Sequence, residues 1–153
     1  MKQKILYDDG MPRIKLKPFS AYPFQTEITV RTTDLNYGGH LGNDSLLSLI
    51  HESRVAFLAH NGMTELDADG VSLIMGDAAI VFKGEAYAGD ILRVDVAAGE
   101  PIKKGFRLFY RITRMGDGAL IALVETGMAC FDYNEQRLRS LPPTLTKICS
   151  KRA

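Results

Sequence analysis

The stretch that most constrains this chain is an apolar run, SLLSLIHESRVAFLAH at residues 45–60, entered directly from the glycine-rich segment TDLNYGGHLGND at residues 33–44. Gly38, Gly39 and Gly42 fall within five positions, and no further Gly or Pro occurs until Gly62, so a tight loop is expected to feed straight into a helix. On a helical wheel Leu46, Leu47, Leu49, Ile50, Ala56, Phe57 and Leu58 cover an arc of roughly 200°, wider than the stripe of about 100° that a surface helix needs. Such a helix has to be mostly enclosed by something else. Its narrow polar strip carries Ser45, Ser48, His51 and Glu52, with Asn43 or Asp44 placed to cap the first turn and Asn61-Gly62 to end the last.

What surrounds the helix is read from the period-two segments. Residues 24–31 alternate Phe24, Thr26, Ile28 and Val30 against Gln25, Glu27, Thr29 and Arg31, the pattern of a half-buried strand. After a short acidic connector at 63–70, four further strands follow without another helix of comparable length. Residues 71–82 are apolar in part on both faces, which predicts a central strand. Beyond a bend at 84–90 come strands at 91–98 and 106–115, and Gly116-Asp117-Gly118 turns the chain into the last, 119–132. Residues 1–22 read as a surface arm with a short extended piece near Ile14, and 144–153 as a tail holding at most a short helical turn. One strand, one enclosed helix and four antiparallel strands make a single α+β domain spanning 1–153, a curved antiparallel sheet of five to six strands wrapped around one long helix. The sheet leaves open edges, so a homodimer with a continuous sheet, or a dimer of such dimers, is the geometric expectation.

Composition narrows the function classes. A net charge of +1 gives no field for nucleic acid or an anionic membrane, and no run approaches the roughly 18 apolar residues needed to span a bilayer. Cys130 and Cys149 show no pairing pattern, and residues 1–4 lack the apolar core of a signal peptide, so a reducing cytoplasm is the default. His40, His51 and His60 have no ligand spacing, and neither a metal nor a cofactor is expected.

With these residues laid out, the segment TDLNYGGHLGNDSLLSLIHESRVAFL resembles the entry of hotdog-fold acyl-CoA thioesterases of the 4-hydroxybenzoyl-CoA thioesterase type, D-x-D-x-x-G-H-x-x-N followed by a helix with E-x-R. Asp34, Gly39, His40, Asn43, Glu52 and Arg54 fall at the matching spacings. FKGEAYAGD at 82–90 is similar to the family's aromatic-x-x-x-A-x-x-G-D bend, and Lys104-Gly105-Phe106 to its K-S-F strand opening. The resemblance implies the hotdog fold and hydrolysis of an acyl-CoA thioester to an acid and free CoA, at a site shared between two subunits. It implies a catalytic group of Asp34, Asn36, His40 and Glu52, and substrate contacts at Gly39, Asn43, His51 and Lys104.

The family's usual second acid stands here as Asn36, and an amide cannot accept a proton as a carboxylate does. Asp34 or Glu52 then serves as the acid, or His40 acts as the base with Asn36 fixing its tautomer or the water, or the site binds an acyl-CoA without turnover. An enoyl-CoA hydratase or dehydratase on the same fold is the catalytic rival. Each residue also has a structural reading: Asp34 as a loop-holding Asx turn, Asn43 as a helix cap, His40 as an ordered loop histidine, His51 as a buried satisfied one. Arg54 calls for a carboxylate partner; Lys103, Lys104, Arg107, Arg111 and Arg114 meet CoA phosphates or merely solvate the surface. Acyl preference is expected to depend on pocket depth at the far end of the helix, near Phe57, Leu58 and Met63.

Overall fold

The computed structural model describes residues 14–151. The arm's first thirteen residues, with Pro12 and the start at 1–4, and the tail's Arg152 and Ala153 lie outside these. The described elements are β1 (Phe24–Thr29), a 3-10 turn (Thr32–Asp34), α1 (Asn43–His60), β2 (Ser72–Phe82), β3 (Ile91–Ile102), β4 (Gly105–Arg114), β5 (Leu120–Asp132), β6 (Arg137–Leu138) and α2 (Pro143–Cys149). All strand pairings are antiparallel, in the order β1-β3-β4-β5-β2, with β6 added alongside β5. This is the expected hotdog architecture of a six-stranded sheet around a long helix.

Period two decides which strand faces meet the helix. Leu92, Val94, Val96 and Ala98 of β3 join Leu108, Tyr110 and Ile112 of β4 and Val124 and Met128 of β5 in one core with Leu46, Leu49, Ile50, Phe57 and Leu58 of α1. At about 25 cal/mol per Å² of apolar surface removed from water, this shared face is the main stabilising term of the fold. The opposite face of β3 is buried as well, which alternation alone did not require. Phe19 and Tyr22 of the arm pack there with Ala97 and Phe109, the Phe19 ring stacked 4.2 Å from Phe109. Gly99 is what admits the arm, since a Cβ there would stand 2.8 Å from the Phe19 ring. Beneath the arm, fully buried Asp95 is met by Arg111 Nε at 2.9 Å, and the Arg111 guanidinium lies 4.6 Å from the Tyr22 ring centre.

Several expectations need correction. β2 is an edge strand, not a central one: its apolar residues on both faces do not mean two covered faces, and positions 75–78 are exposed. α1 is not closed all round, because Leu47 and Val55 stand 38% and 43% exposed on the side that carries Ser48, His51 and Glu52. The tail forms a helix, α2, whose Leu145, Ile148 and Cys149 complete the core. Residues 14–16 form no strand.

Candidate active site

Neither Asn43 nor Asp44 caps α1. Gly42 is the N-cap, in extended backbone with φ −73° and ψ 154°, and no side chain closes the helix end. Asn43 is therefore the first helical residue, and the leading amides carry the positive end of the helix dipole. Main-chain bonds hold the loop ahead of them: Asn36 N–H donates to the His40 carbonyl at 2.9 Å, and Gly42 N–H to the Asp34 carbonyl at 2.9 Å. Gly39 takes φ +81°, a left-handed conformation that favours glycine.

This end of the helix opens onto a cavity of about 360 Å³. Leu41, Leu46, Ile80, Val81, Phe82 and Ile121 form its apolar wall, Ile14 of the arm reaches it, and its polar rim is Asn36, His40, Asn43 and Glu85. The expectation of a pocket at the far end of the helix is thus corrected: Phe57, Leu58 and Met63 are packed core, and the space lies at the near end.

On that rim the side chains form a chain of contacts. Gly38 N–H donates to Asn36 Oδ1 at 2.9 Å, so the amide turns its nitrogen toward His40, with Asn36 Nδ2 3.5 Å from His40 Nδ1. The other imidazole nitrogen, Nε2, lies 3.7 Å from Glu85 Oε1. Tyr87 Oη donates to Glu85 Oε2 at 2.9 Å, and that bond holds the phenol above the usual tyrosine pKa, with burial adding to it. The Tyr87 ring stands edge-on to His40 at 6.4 Å. A Cβ at Gly38 would come within 3.0 Å of His40 Nε2 and 3.2 Å of Asn36 Oδ1, so this glycine is a condition of the arrangement.

The loop with Glu85 is fixed to the helix entry. Leu41 N–H donates to the Ala86 carbonyl at 2.7 Å, Lys83 and Gly84 N–H to the Ile121 carbonyl, and Arg114 Nη1 to the Glu85 carbonyl at 2.6 Å. Gly84 lets the strands close, because a Cβ there would meet the Leu120 carbonyl at 2.8 Å. Glu85 was not among the residues singled out from sequence. It lay inside FKGEAYAGD, a stretch that reads as a bend; the available signal was an acid two residues from a tyrosine and directly after a glycine.

The remaining sequence-derived residues lie elsewhere. Asp34 is buried and accepts from Arg31 N, Nε and Nη2 at 2.8, 3.2 and 3.0 Å, and these hydrogen bonds hold its carboxyl below the usual aspartate range. Glu52 is exposed on α1. His51 is exposed rather than buried, its Nε2 3.1 Å from Glu65 Oε2. The carboxylate that Arg54 calls for is Glu65, from the connector, at 2.6 Å. Burial raises the pKa of Glu65, but the hydrogen bond and charge of Arg54 outweigh it, and the net shift is downward. Lys104 lies in a separate cavity beside Asp77, Glu100 and Arg107. Among the basic residues considered for CoA phosphates, Arg107 pairs with Asp77, Arg111 with Asp95 and Arg114 with Asp117.

Residues 30–148 match the thioesterase-like superfamily. The chain belongs to that superfamily. No curated protein matches it by sequence. Among solved structures it is similar to a 1,4-dihydroxy-2-naphthoyl-CoA thioesterase from Synechocystis, at 23% identity over 83% of this chain and 96% of that one, with a TM-score of 0.74. It also resembles a gentisyl-coenzyme A thioesterase, at 16% identity over 83% and 100% of the two chains and a TM-score of 0.72. A Staphylococcus aureus protein in complex with CoA superposes with a TM-score of 0.71 at 16% identity, over 86% of this chain and 84% of that one. These likenesses show the fold that this thioesterase-like chain shares with them.

Proposed function

We propose that the protein is an acyl-CoA thioesterase, hydrolysing a thioester to a carboxylic acid and free CoA at the cavity beside the start of α1. One observation carries the reading: an apolar cavity whose polar rim gathers Asn36, His40, Asn43 and Glu85 against an uncapped helix start. The acyl group lies along Leu46, Ile80, Phe82 and Ile121, and the carbonyl oxygen is held by the leading amides of α1, where oxyanion charge develops. The match to the thioesterase-like superfamily, with a fold shared with proteins named as CoA thioesterases, supports the choice of substrate.

Of the catalytic group drawn from sequence, Asn36 and His40 keep roles at the cavity. Asp34 holds the loop through Arg31, and Glu52 stays outside. Gly39 and Asn43 shape the rim. Any part that His51 or Lys104 takes in binding CoA lies away from the reacting carbonyl. The pairing of a carboxylate with an imidazole over one cavity also fits an enoyl-CoA hydratase, so the assay compares saturated with 2-enoyl thioesters. Release of free thiol from saturated acyl-CoAs supports the thioesterase. Hydration of the enoyl substrate without thiol release favours the rival, and tight CoA-ester binding with neither reaction favours a binding protein.

The same reading includes a homodimer, or a dimer of dimers, in the cytoplasm. The open β2 edge and the exposed Met75 on it, with Leu47 across the same pocket, support self-association, and among the described residues no helix is long and apolar enough to cross a membrane. Sedimentation at twice the 16.9 kDa chain mass or a higher multiple supports this assembly, and a monomer at micromolar concentration contradicts it.

A further inference from the structure

One wall of the cavity does not belong to the sheet, to α1 or to the loops that join them. Its described lining residues run from Asn36 to Ile121 with one exception, Ile14, which comes from the arm ahead of β1. Resting on the thioesterase reading, we propose that Ile14 limits the length of the acyl group this enzyme accepts, and that the arm's aromatic anchor on the sheet face opposite α1 holds Ile14 in place.

The anchor is built from side chains that fix residues 19–22. The Phe19 ring stacks 4.2 Å from Phe109, and Phe19 N–H donates to Tyr22 Oη at 2.8 Å. Tyr22 is buried, and the guanidinium of Arg111, itself paired with fully buried Asp95, lies 4.6 Å from its ring centre. From Phe19 back to Ile14 is a tether of five residues, which at about 3.6 Å per residue reaches no further than about 18 Å. Pro18 stiffens that tether, because its ring fixes φ and disfavours helical backbone at Lys17. Leu16 is half-buried between exposed Lys15 and Lys17, so the apolar side of the strap lies toward the protein and the charged side toward water.

What the strap delivers is an apolar side chain at the mouth of an apolar cavity. Ile14 is still 57% exposed, and an acyl chain passing it would remove that surface from water. The walls formed by Leu46 and Ile121 are close-packed core and do not yield without strain. Ile14 lies on no strand and belongs to no core cluster, so its size alone sets how far this side of the cavity extends. In an apolar pocket one methylene more or less changes kcat/KM by roughly 10- to 200-fold, and the isoleucine side chain beyond Cβ exceeds one methylene.

The test is kcat/KM for thiol release from saturated acyl-CoAs of increasing length, for wild type, Ile14→Ala, Ile14→Trp and Gly99→Ala, with melting curves for each. The ratio of a longer to a shorter substrate within one variant cancels its active fraction, so a merely structural loss does not move it. Ile14→Ala should raise the ratio of the first poorly accepted length to the preferred one by about tenfold or more, and Ile14→Trp should move the preferred length downward. Gly99 lies outside the cavity, but a Cβ there would stand 2.8 Å from the Phe19 ring and unseat the anchor. Gly99→Ala should therefore move the ratio in the same direction as Ile14→Ala, by a smaller factor. An active wild type whose two Ile14 variants do not move the ratio in opposite directions overturns this inference alone. Opposite shifts at Ile14 with no shift in a folded Gly99→Ala overturn the anchor's part in it. Should Gly99→Ala fail to fold, Phe19→Ala, which deletes the stacked ring, decides that part by the same ratio. A wild type inert toward every thioester overturns the functional reading and this inference with it.

Discussion

Two places along α1 pair a glutamate with a histidine, and they differ in what else touches the acid. At the leading end Glu85 meets the His40 imidazole and the Tyr87 hydroxyl over an apolar cavity. Near the middle of the helix, Glu65 meets exposed His51 and is clamped by Arg54, whose side chain is only 8% exposed. Arg54 in turn faces the deeply buried Tyr110, whose hydroxyl lies 3.2 Å from Thr126 Oγ1. A guanidinium holds a carboxylate in its proton-free state and ties the element that carries it to the helix. Asp34 is clamped in the same way, by Arg31. Residue type alone therefore does not separate a carboxylate on the cavity rim from one that braces the fold.

The largest effect that separates the two clusters is kinetic. His40→Ala, on the cavity rim, should cost about 10²-fold or more in kcat, while Glu65→Gln should leave kcat within about threefold; thiol-release assays on both measure it. Next is stability. Arg54→Met removes the guanidinium and leaves Glu65 only the exposed His51 as partner, for an expected loss of about 2–4 kcal/mol in urea unfolding, somewhat below the fully buried range because Glu65 is 27% exposed.

A subtler effect is the pH dependence of that stability. Because the folded Glu65 pKa lies below its ordinary value of 4.5, its ion pair contributes fully above that pH and is lost as pH falls through the lowered folded value. The stability gap between wild type and Glu65→Gln should therefore be constant near neutrality and shrink below about pH 4.5, as read by melts across pH 3–7. A gap that widened on acidification would reverse the sign of this account. Smallest is Gly38→Ala: the methyl group would press on His40 and Asn36 by a few tenths of an ångström, lowering kcat about tenfold or less with a melting temperature nearly unchanged.

Much of the fold was legible because its periods are clean. The alternation of β1, β3 and β4 and the Gly-rich entry to α1 carry local signals that tertiary contacts reinforce. β2 misled because VSLIMGDAAIVF is apolar whichever face is covered, and which strand ends a sheet is a property of pairing that no single strand encodes. Leu47 widened the apolar arc of α1, yet it lies outside the core of one chain, as does Val55. The arm's anchoring was hidden because Phe19 and Tyr22 are isolated aromatics whose partner, Phe109, lies far along the sequence. The site was half legible. Asn36, His40 and Asn43 share one short segment, so motif spacing reached them, whereas Glu85 comes from the β2–β3 connection and joins them only through bonds such as Leu41 N–H to the Ala86 carbonyl.

The most direct test of where the chemistry occurs is a crystal structure with an acyl-CoA analogue in which a methylene group replaces the thioester sulfur. The account predicts the acyl chain along Leu46, Ile80, Phe82 and Ile121 and the carbonyl oxygen at the first amides of α1, beside Asn36 and His40. An analogue whose carbonyl instead lay against Leu47, His51 and Met75, beside the Arg54–Glu65 pair, would contradict it.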